Sequence, residues 1–365
     1  MLLHNLLFKF IPDMKKIAII GSHGLYANYG GWDQLVRNLA EKKSINNFEY
    51  LIYNSSDSPK VINCPPGVKV KRMIVKASGF QGLIYDFWSI LLCYRKIDTI
   101  LFLGVQGIPL IPFLFLFRKV KIISNVGGIE WERPKFGFLS KMYLKFCFNL
   151  SFIFSDYVIL DNPHYYMFLP KRKNAKVKVL TYGGEIDNSL SVNNDIINKY
   201  PFINDEYFLS ISRSLEDNQL EEICRCFGTL KQKLVLISNF SKSAYGCKVY
   251  AKYSNLPNLF LIDGLYQKPE LDLIRRKCKA YIHTHKLCGT APSLVEMIIA
   301  QVPIISYDNP QNRHTLHNQG FFFSSFDSIQ KIVNSKTNFA NYIPSNEIVK
   351  LYNWNQIILD YESIF

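Results

Sequence analysis

A predicted helix in the second half of the chain opens with residue types that suit phosphate and sugar binding. The apolar segment 279–283 predicts a strand, and Gly289 and Thr290 lie in the loop after it. Ser293 follows in the first turn of the helix, with Glu296 one turn further in. Helix N-termini attract phosphate through unpaired N–H groups and partial positive charge. Because a carboxylate at that end can accept hydrogen bonds from sugar hydroxyls, the pattern has the outline of a nucleotide-sugar site. An ordinary capped helix in an α/β domain is the alternative, and the segment taken by itself favours that alternative.

Two consecutive glycines near the N-terminus mark a second candidate loop. Gly30 and Gly31 follow a predicted strand at 16–20 and precede a predicted helix at 33–42. Glycine allows close approach of backbone to a ligand, although a tight turn without a ligand explains the pair equally well. The loop is not a full G-x-G-x-x-G pattern, because no acidic residue closes a second strand in the expected place. A nicotinamide-dependent enzyme is therefore disfavoured.

Two histidines at alternate positions, His283 and His285, end the predicted strand before the loop. Such a pair can chelate zinc. We expect no metal here, because no Cys, Asp or Glu is expected nearby to complete the coordination shell, and we favour hydrogen bonding to sugar or phosphate. Cys288 is not expected to be a nucleophile, since nothing marks an adjacent base.

Charged residues also follow two other predicted strands. Arg213 comes after the strand at 207–211, where a guanidinium can pair with a diphosphate and offset charge on a leaving nucleotide. Glu130 and Trp131 belong to a Glu-Trp-Glu-Arg cluster that could orient an acceptor hydroxyl or the sugar. An interdomain salt-bridge cluster is the alternative for those residues.

Alternating strands and helices must position these side chains. Each strand segment is short and apolar, which predicts parallel sheets covered on both faces by helices. The predicted strands lie at 16–20, 49–53, 68–73, 99–103, 121–124, 157–160 and 177–180, and then at 207–211, 233–238, 259–262, 279–283 and 303–306.

The strand pattern predicts two α/β domains. The first spans residues 14–187 and the second residues 205–345, with the polar, Asn-rich segment 187–204 as the linker. Residues 346–365 carry apolar side chains at helical spacing and form a terminal helix.

Composition describes a large folded protein with affinity for anions. The chain has 365 residues, 48% of them hydrophobic, and 43 Lys and Arg against 29 Asp and Glu, for a net charge of +14. That hydrophobic content argues against disorder, and the charge suits phosphates, nucleic acid or lipid headgroups. The eight cysteines show no zinc or thioredoxin spacing, which is typical of reduced cytosolic thiols.

Two apolar segments raise the question of a membrane anchor. Residues 1–13 are short and lack a small-residue cleavage site, so we expect an extension or a misassigned start rather than a signal peptide. Residues 99–117 are long enough to span a bilayer, but Pro109 and Pro112 interrupt them. We expect strand, loop and buried helix there, with a membrane insertion as the alternative.

Three separated motifs resemble one enzyme family. The segment 283–296, the opening loop 20–31 and the segment 125–133 are similar, in order, to signatures of bacterial GT-B glycosyltransferases. The similarity is to the retaining, family-four-like branch that includes capsular and cell-wall rhamnosyltransferases with a DUF1972-type N-terminal domain. It implies two Rossmann-like domains facing across a cleft, with the terminal helix crossing back to the first domain.

The resemblance also implies roles for individual residues, with no metal and no cofactor besides the nucleotide-sugar substrate. Most retaining relatives carry two glutamates eight positions apart; here the second is Glu296, and Cys288 occupies the place of the first, which contacts the donor sugar. The implied catalytic residues are Arg213, Glu130 and Glu296; the donor-binding residues are Gly30, Gly31, His283, His285, Gly289, Thr290, Pro292, Ser293 and Glu296; the acceptor-side residues are Asn28, Tyr29, Asn125 and Trp131.

The function implied is transfer of a sugar in cell-surface polysaccharide biosynthesis. The expected donor is dTDP-L-rhamnose and the expected acceptor a lipid-linked saccharide, with the enzyme peripheral on the anionic cytoplasmic face of a bacterial membrane. The alternatives are a hexosyltransferase using a UDP-sugar and a GT-B-type nucleotide-sugar epimerase, although no carboxylate-and-histidine set for epimerisation is evident. A nucleic-acid partner is not expected, because it would explain the charge but not the helix-terminus loops.

Overall fold

The computed structural model describes residues 14–27, 30–43, 47–93, 95–112, 120–134 and 136–365. Its first sheet has seven parallel strands in the order β3-β2-β1-β4-β5-β6-β7. These are β1 (Lys15–Ile20), β2 (Phe48–Asn54), β3 (Val68–Arg72), β4 (Thr99–Leu103), β5 (Lys121–Gly127), β6 (Tyr157–Leu160) and β7 (Lys176–Val179).

A second parallel sheet repeats this topology with six strands in the order β10-β9-β8-β11-β12-β13. These are β8 (Tyr207–Ile211), β9 (Lys233–Ser238), β10 (Leu259–Asp263), β11 (Ala280–His283), β12 (Ile304–Tyr307) and β13 (Phe321–Phe323). The predicted strands are all present within one or two residues, except that β5 runs three residues further than predicted, and β13 is an addition. It was missed because three consecutive phenylalanines do not alternate and are too few to identify a strand.

Helices cover both sheets. In the first half they are α1 (Gly31–Glu41), α2 (Gln81–Cys93) and α3 (Phe138–Phe154). In the second half they are α4 (Asn194–Lys199), α5 (Leu220–Phe227), α6 (Ala244–Tyr253), α7 (Lys268–Lys277), α8 (Pro292–Ile299), α9 (Pro310–Thr315), α10 (Phe326–Asn334), α11 (Asn346–Leu351) and α12 (Trp354–Glu362).

The segment predicted as a polar linker is only partly one. Residues 194–199 form α4, and Ile196, Tyr200 and Phe202 are buried in the same core cluster as Tyr207 of β8. The prediction is wrong for this half of the segment. Its Asn and Asp residues hid the apolar spacing, and one of them, Asn193, caps α4 by accepting a hydrogen bond from Ile196 N–H.

The C-terminal segment divides between the two domains. Ile348 of α11 and Tyr352 are buried with the second sheet, so the expectation that residues 346–365 pack wholly on the first domain is wrong for α11. Helix α12 does cross back: Trp354 and Ile358 join Ile17 of β1 in a core cluster of the first domain.

The apolar segment 99–117 begins as predicted, with the fully buried strand β4. A 3-10 turn follows at Ile108–Leu110, and residues 113–117, where a buried helix was expected, lie outside the described residues. Within the part of the chain that the structure describes, no helix has the length and apolar character needed to cross a bilayer.

Candidate functional site

The carboxyl ends of both sheets present the loops that carry the predicted site. In each sheet the strand order reverses beside its first strand, and ligands of open α/β sheets bind outside the strand ends at such a point. In the second sheet this point lies between β8 and β11. Arg213 follows β8, and the predicted donor loop follows β11.

The donor loop ends at α8 without a side-chain cap. Pro292 occupies the first turn, and the N-cap residue Ala291 makes no side-chain hydrogen bond. The helix therefore offers backbone donors and the positive end of its dipole to a ligand rather than to its own side chains. Ser293, in the same turn, hydrogen-bonds the Tyr281 hydroxyl.

The glycine loop of the first domain meets α8 directly. A Cβ atom on Gly31 would lie 2.9 Å from Pro292 Cγ and 2.9 Å from the ring of Tyr182, so only glycine allows this approach. Gly30 is in extended backbone with open space around it, and needs no special conformation. The structure thus brings Gly30, Gly31 and Pro292 together across the two domains.

Glu296 lies at this interface and is already paired. One carboxylate oxygen accepts a hydrogen bond from Arg275 Nη2, and the other accepts one from Gln34 Nε2 of α1, at 3.3 Å. Arg275 is 4% exposed and also binds Asp272 Oδ1 at 2.6 Å. Sequence reasoning missed Arg275, since nothing in α7 marks a residue that contacts α8.

The two histidines and Cys288 form one cluster. The rings of His283 and His285 lie 4.2 Å apart between centroids, and Cys288 Sγ is 3.9 Å from His283 Nε2. Burial lowers the pKa of His283 to about 3 and that of His285 well below its usual value, and raises the pKa of Cys288 to about 12. The expectation that no cysteine lies near the histidines is wrong, because the loop folds back over the strand end.

An ion-pair network crosses the cleft. Arg133 Nε donates to Glu130 Oε1 at 2.9 Å, and Arg133 Nη1 donates to Asp217 Oδ2 of the second domain at 3.3 Å. The Glu-Trp-Glu-Arg cluster therefore makes interdomain contacts, as the alternative interpretation held. The positive charges of Arg133 and Arg213 both disfavour protonation of His285, which locates the three side chains in one electrostatic environment.

Asp161 is a further residue at the cleft, and sequence reasoning missed it. It follows β6 directly and is 5% exposed, and its Oδ1 atom has no hydrogen-bond partner among the described residues. A Cβ atom on Gly289 would lie 2.2 Å from that oxygen, so Asp161 faces the donor loop across the cleft. Burial raises the pKa of Asp161 to about 7, with the charge of Glu130 as a second cause. An acidic residue at the end of a buried parallel strand was the available signal.

Neighbouring contacts fix the relative position of Asp161 and the loop. The Thr290 hydroxyl donates to the Asp161 backbone carbonyl. Asn162 Nδ2 donates to the Gln311 carbonyl at 3.1 Å and to Thr315 Oγ1 at 3.3 Å. The donor loop and α9 are thereby held against the end of β6.

Two predicted acceptor-side residues, Asn125 and Trp131, are buried and make contacts within the protein. Asn125 is 1% exposed; its amide donates to the Tyr361 hydroxyl of α12 at 2.7 Å and accepts from Gly127 N–H at 3.0 Å. Trp131 is buried against Phe148, with ring centroids 4.7 Å apart. Both side chains are thus engaged in buried contacts, and their acceptor-side role stays a prediction. Asn28 and Tyr29 lie outside the described residues.

A cavity of about 300 Å³ lies between the domains on the far side of Thr290. Its lining does not include the start of α8, Arg213 or Asp161. We therefore place the functional site at the strand ends. The cavity is lined by Pro163, Thr181, Thr290, Arg313, His314, Thr315, His317, Asn318, Leu351 and Tyr352.

Comparison with known proteins supports the fold. Residues 14–185, just under half of the chain, match a domain of unknown function, DUF1972. No curated protein matches the sequence. Sucrose-phosphate synthase from Thermosynechococcus elongatus superposes with a TM-score of 0.78 at 15% identity, covering 96% of this chain and 98% of that chain.

Two other solved structures are similar over their whole length. HepE from Anabaena, in complex with UDP and glucose, has a TM-score of 0.69 at 13% identity, covering 96% of this chain and 99% of that one. Trehalose-6-phosphate synthase OtsA has a TM-score of 0.71 at 10% identity, covering 96% and 98%. The chain has the GT-B fold of these glycosyltransferases, with two parallel-sheet domains, so the predicted fold is confirmed.

Proposed function

We propose that this protein is a glycosyltransferase that takes a sugar from a nucleoside diphosphate. One observation carries the proposal: Arg213 and the uncapped start of α8 lie together at the strand-order reversal of the second sheet, opposite Asp161. A cation, helix dipole and backbone donors suit a diphosphate leaving group. They would act by fixed electrostatics, without a covalent intermediate on the phosphate.

Asp161 supplies negative charge on the sugar side of this arrangement. Glycosyl transfer passes through a transition state with positive charge on the sugar ring, as in glycoside hydrolysis. A carboxylate at the donor loop stabilises that charge when it is ionised, and it can accept a hydrogen bond from a sugar hydroxyl. We propose that transfer proceeds with retention, as described for trehalose-6-phosphate synthase, a structural neighbour.

The sugar donor is proposed from the resemblance and from Cys288. A thiol stands where retaining relatives have a sugar-contacting glutamate, which suits a deoxysugar such as L-rhamnose from dTDP-rhamnose. The alternative is a UDP-sugar, since HepE from Anabaena is solved with UDP and with UDP-glucose. We propose no divalent cation at the diphosphate, because no Asp-x-Asp pair follows a strand to hold one.

A membrane-bound acceptor is supported by an apolar surface on the first domain. Helix α2 exposes Phe87, Trp88 and Leu91, and α3 exposes Phe138 and Met142. Contiguous exposed apolar side chains on a soluble domain mark interaction sites.

The two helices flank one loop, which places their exposed side chains on neighbouring elements. Tyr143 of α3 donates to the Gln106 carbonyl at 2.9 Å, and Gly107 packs on Asp86 of α2. The exposed Lys145 lies beside this surface, and Lys141 is partly exposed there. We propose that this face rests on anionic lipid at the cytoplasmic side of a bacterial membrane, next to a lipid-linked saccharide.

The test of the donor site is a thermal-shift panel of nucleoside diphosphates and their sugars, followed by transfer assays. Ligands of the native state raise the melting temperature. We expect stabilisation by dTDP and dTDP-rhamnose, and sugar transfer only when a saccharide acceptor is added. Stabilisation by UDP-sugars alone would select the hexosyltransferase, and conversion of the donor without acceptor would select the epimerase. No stabilisation by any nucleotide would refute the proposal.

The test of the membrane site is sedimentation with vesicles of anionic or neutral lipid. We expect binding to anionic vesicles, reduced when Lys141 and Lys145 are changed to glutamate, each basic residue contributing about 1 kcal/mol. High salt should release the protein, because the screening length falls to roughly 3 Å at 1 M. Charge reversal of the exposed Lys171 is the control for non-specific attraction. Binding to neither lipid would refute the membrane site but not the transferase.

A further inference from the structure

The cluster of His283, His285 and Cys288 has the ligand atoms of a transition-metal site. One ring nitrogen of each histidine and the cysteine sulfur all lie within 4.8 Å of one another. In tetrahedral zinc sites, Zn–N distances of about 2.0–2.1 Å and Zn–S distances of about 2.3 Å put ligands about 3.3–3.6 Å apart. The His283 Nε2 to Cys288 Sγ distance is 3.9 Å, so small side-chain rotations would bring the atoms to ligand spacing.

The surroundings of His283 hold it in the form that binds metal. The Tyr281 hydroxyl donates to the Ile211 carbonyl at 3.2 Å and lies 3.2 Å from His283 Nδ1. Because its proton is used for Ile211, Tyr281 accepts from Nδ1–H, which leaves the lone pair of Nε2 facing Cys288. A metal-binding histidine typically donates its other ring N–H in this way.

His285 provides a second, independent sign. Its Nε2 atom is buried and has no hydrogen-bond partner among the described residues. Buried polar nitrogens are nearly always paired, so this atom calls for a ligand. The Cys288 thiol instead donates to Asn312 Oδ1 at 3.2 Å. When a metal binds, the thiol proton leaves to solvent, and the hydrogen bond to Asn312 is lost.

We propose that His283, His285 and Cys288 bind a soft divalent cation, Zn²⁺ in the first instance, with one coordination position left for water. Two imidazoles and a thiolate select Zn²⁺ over Mg²⁺. Both His285 and Cys288 are partly exposed, so the ion can enter from the cleft. The site is distinct from the proposed diphosphate site, and binding does not depend on the proposed transferase activity.

Occupancy would affect the donor, an inference that does rest on the proposed function. Cys288 and Gly289 are adjacent, and Gly289 faces Asp161 where the sugar would lie. A metal ion here would compete with the sugar for space. We therefore expect Zn²⁺ to inhibit transfer, and EDTA to leave it intact.

The test is titration of the purified chain, first stripped of metal, with Co²⁺ and Zn²⁺. Co²⁺ bound by a thiolate absorbs in the near ultraviolet through charge transfer, so the spectrum reports sulfur coordination directly. We expect one equivalent with this band, and its loss in Cys288→Ser and in His285→Ala. Tyr281→Phe should retain the band with affinity lower by roughly 10–100-fold, since it keeps all three ligands and removes the hydroxyl that orients His283.

Exposed thiols provide the matched controls. Cys64→Ser and Cys247→Ser remove the exposed cysteines and should leave the band unchanged. A band that survives Cys288→Ser but not these two changes would show adventitious binding and overturn the site. Absence of stoichiometric binding in the wild type, with donor-induced thermal shifts intact, would overturn the metal site alone.

Discussion

The two sheets share one topology, yet their carboxyl ends are used differently. At the end of the second sheet, the loop after β11 and the start of α8 offer backbone donors, and Arg213 follows the neighbouring strand β8. At the end of the first sheet, Asn125 and Trp131 are buried, and the charged groups are the buried Asp161 and the ion pair of Glu130 and Arg133. Most of the groups on the donor side come from one short segment of the chain. The charged groups on the opposite side of the cleft come from segments that are further apart in the sequence.

The difference follows from what each edge packs against. Helix α8 begins in a loop of its own domain and has no side-chain cap at its N-terminus. The first sheet instead receives α12 from the far end of the chain, and Tyr361 of that helix hydrogen-bonds Asn125. An edge that anchors the C-terminal helix has polar side chains that serve stability, so polarity at a strand end is not by itself evidence of a ligand site.

The largest expected effect on the donor side is that of Arg213→Ala. Loss of a cation that stabilises the leaving diphosphate should lower kcat by roughly 10²–10³. Arg213→Lys should restore part of the loss, because it keeps the charge without the planar fork. Steady-state transfer rates measure this, with Lys242→Ala, an exposed loop lysine after β9, as the matched control. Equal losses in both variants would remove the special role of Arg213.

The corresponding test of the opposite edge is Asp161→Asn. We expect kcat to fall by roughly 10², since the variant cannot carry the charge that stabilises the sugar cation. Because burial raises the pKa of Asp161 to about 7, wild-type activity should rise as pH passes through 7, and this dependence should disappear in the variant. A pH profile of kcat shared by both proteins would exclude the role.

The Asp161 carboxylate should give stability and activity opposite pH dependences: activity rises as pH passes through 7, whereas the contribution to stability falls. A folded-state pKa raised from 3.8 to about 7 means that the folded protein holds the proton more tightly than the unfolded chain. The contribution of Asp161 to the free energy of unfolding is therefore full below about pH 4 and is lost as pH rises through 7. The melting temperature of the wild type should therefore fall relative to that of Asp161→Asn as pH rises across this range.

A smaller effect is expected for Glu296→Gln. The variant should weaken donor binding by roughly 1–3 kcal/mol, a factor of about 5–150, if the carboxylate accepts hydrogen bonds from the ribose. It also leaves the buried Arg275 with Asp272 as its carboxylate partner, so the melting temperature must be measured alongside affinity. Gln34→Ala removes only the 3.3 Å contact across the domains and is the control. Reduced stability with unchanged donor affinity would make Glu296 a structural residue.

Much of this molecule could be predicted from local patterns. Buried parallel strands are continuous apolar runs, so β4 and β8 were found with their exact limits. The start of α8 could also be predicted, because proline at the first helical position, here Pro292, marks a helix N-terminus.

What failed depended on contacts between distant segments. The approach of Cys288 to His283, the pairing of Arg275 with Glu296 and the burial of Asn125 by α12 all join elements that the sequence does not relate. Asp161 could be predicted only in part. Its position directly after β6 follows from the sequence pattern, but its closeness to Gly289 depends on how the two domains pack together.

The smallest expected effect tests the structural side of the comparison directly. Asn125→Ala leaves the Tyr361 hydroxyl and Gly127 N–H without their partner in a buried environment, at a cost of about 1–3 kcal/mol. The melting temperature should fall by a few degrees while the donor dissociation constant stays unchanged. Tyr361→Phe should lose less, and the double variant should cost less than the sum, since both changes break one hydrogen bond. If Asn125→Ala instead kept its stability and raised the KM for the acceptor, the first sheet would be a binding edge like the second.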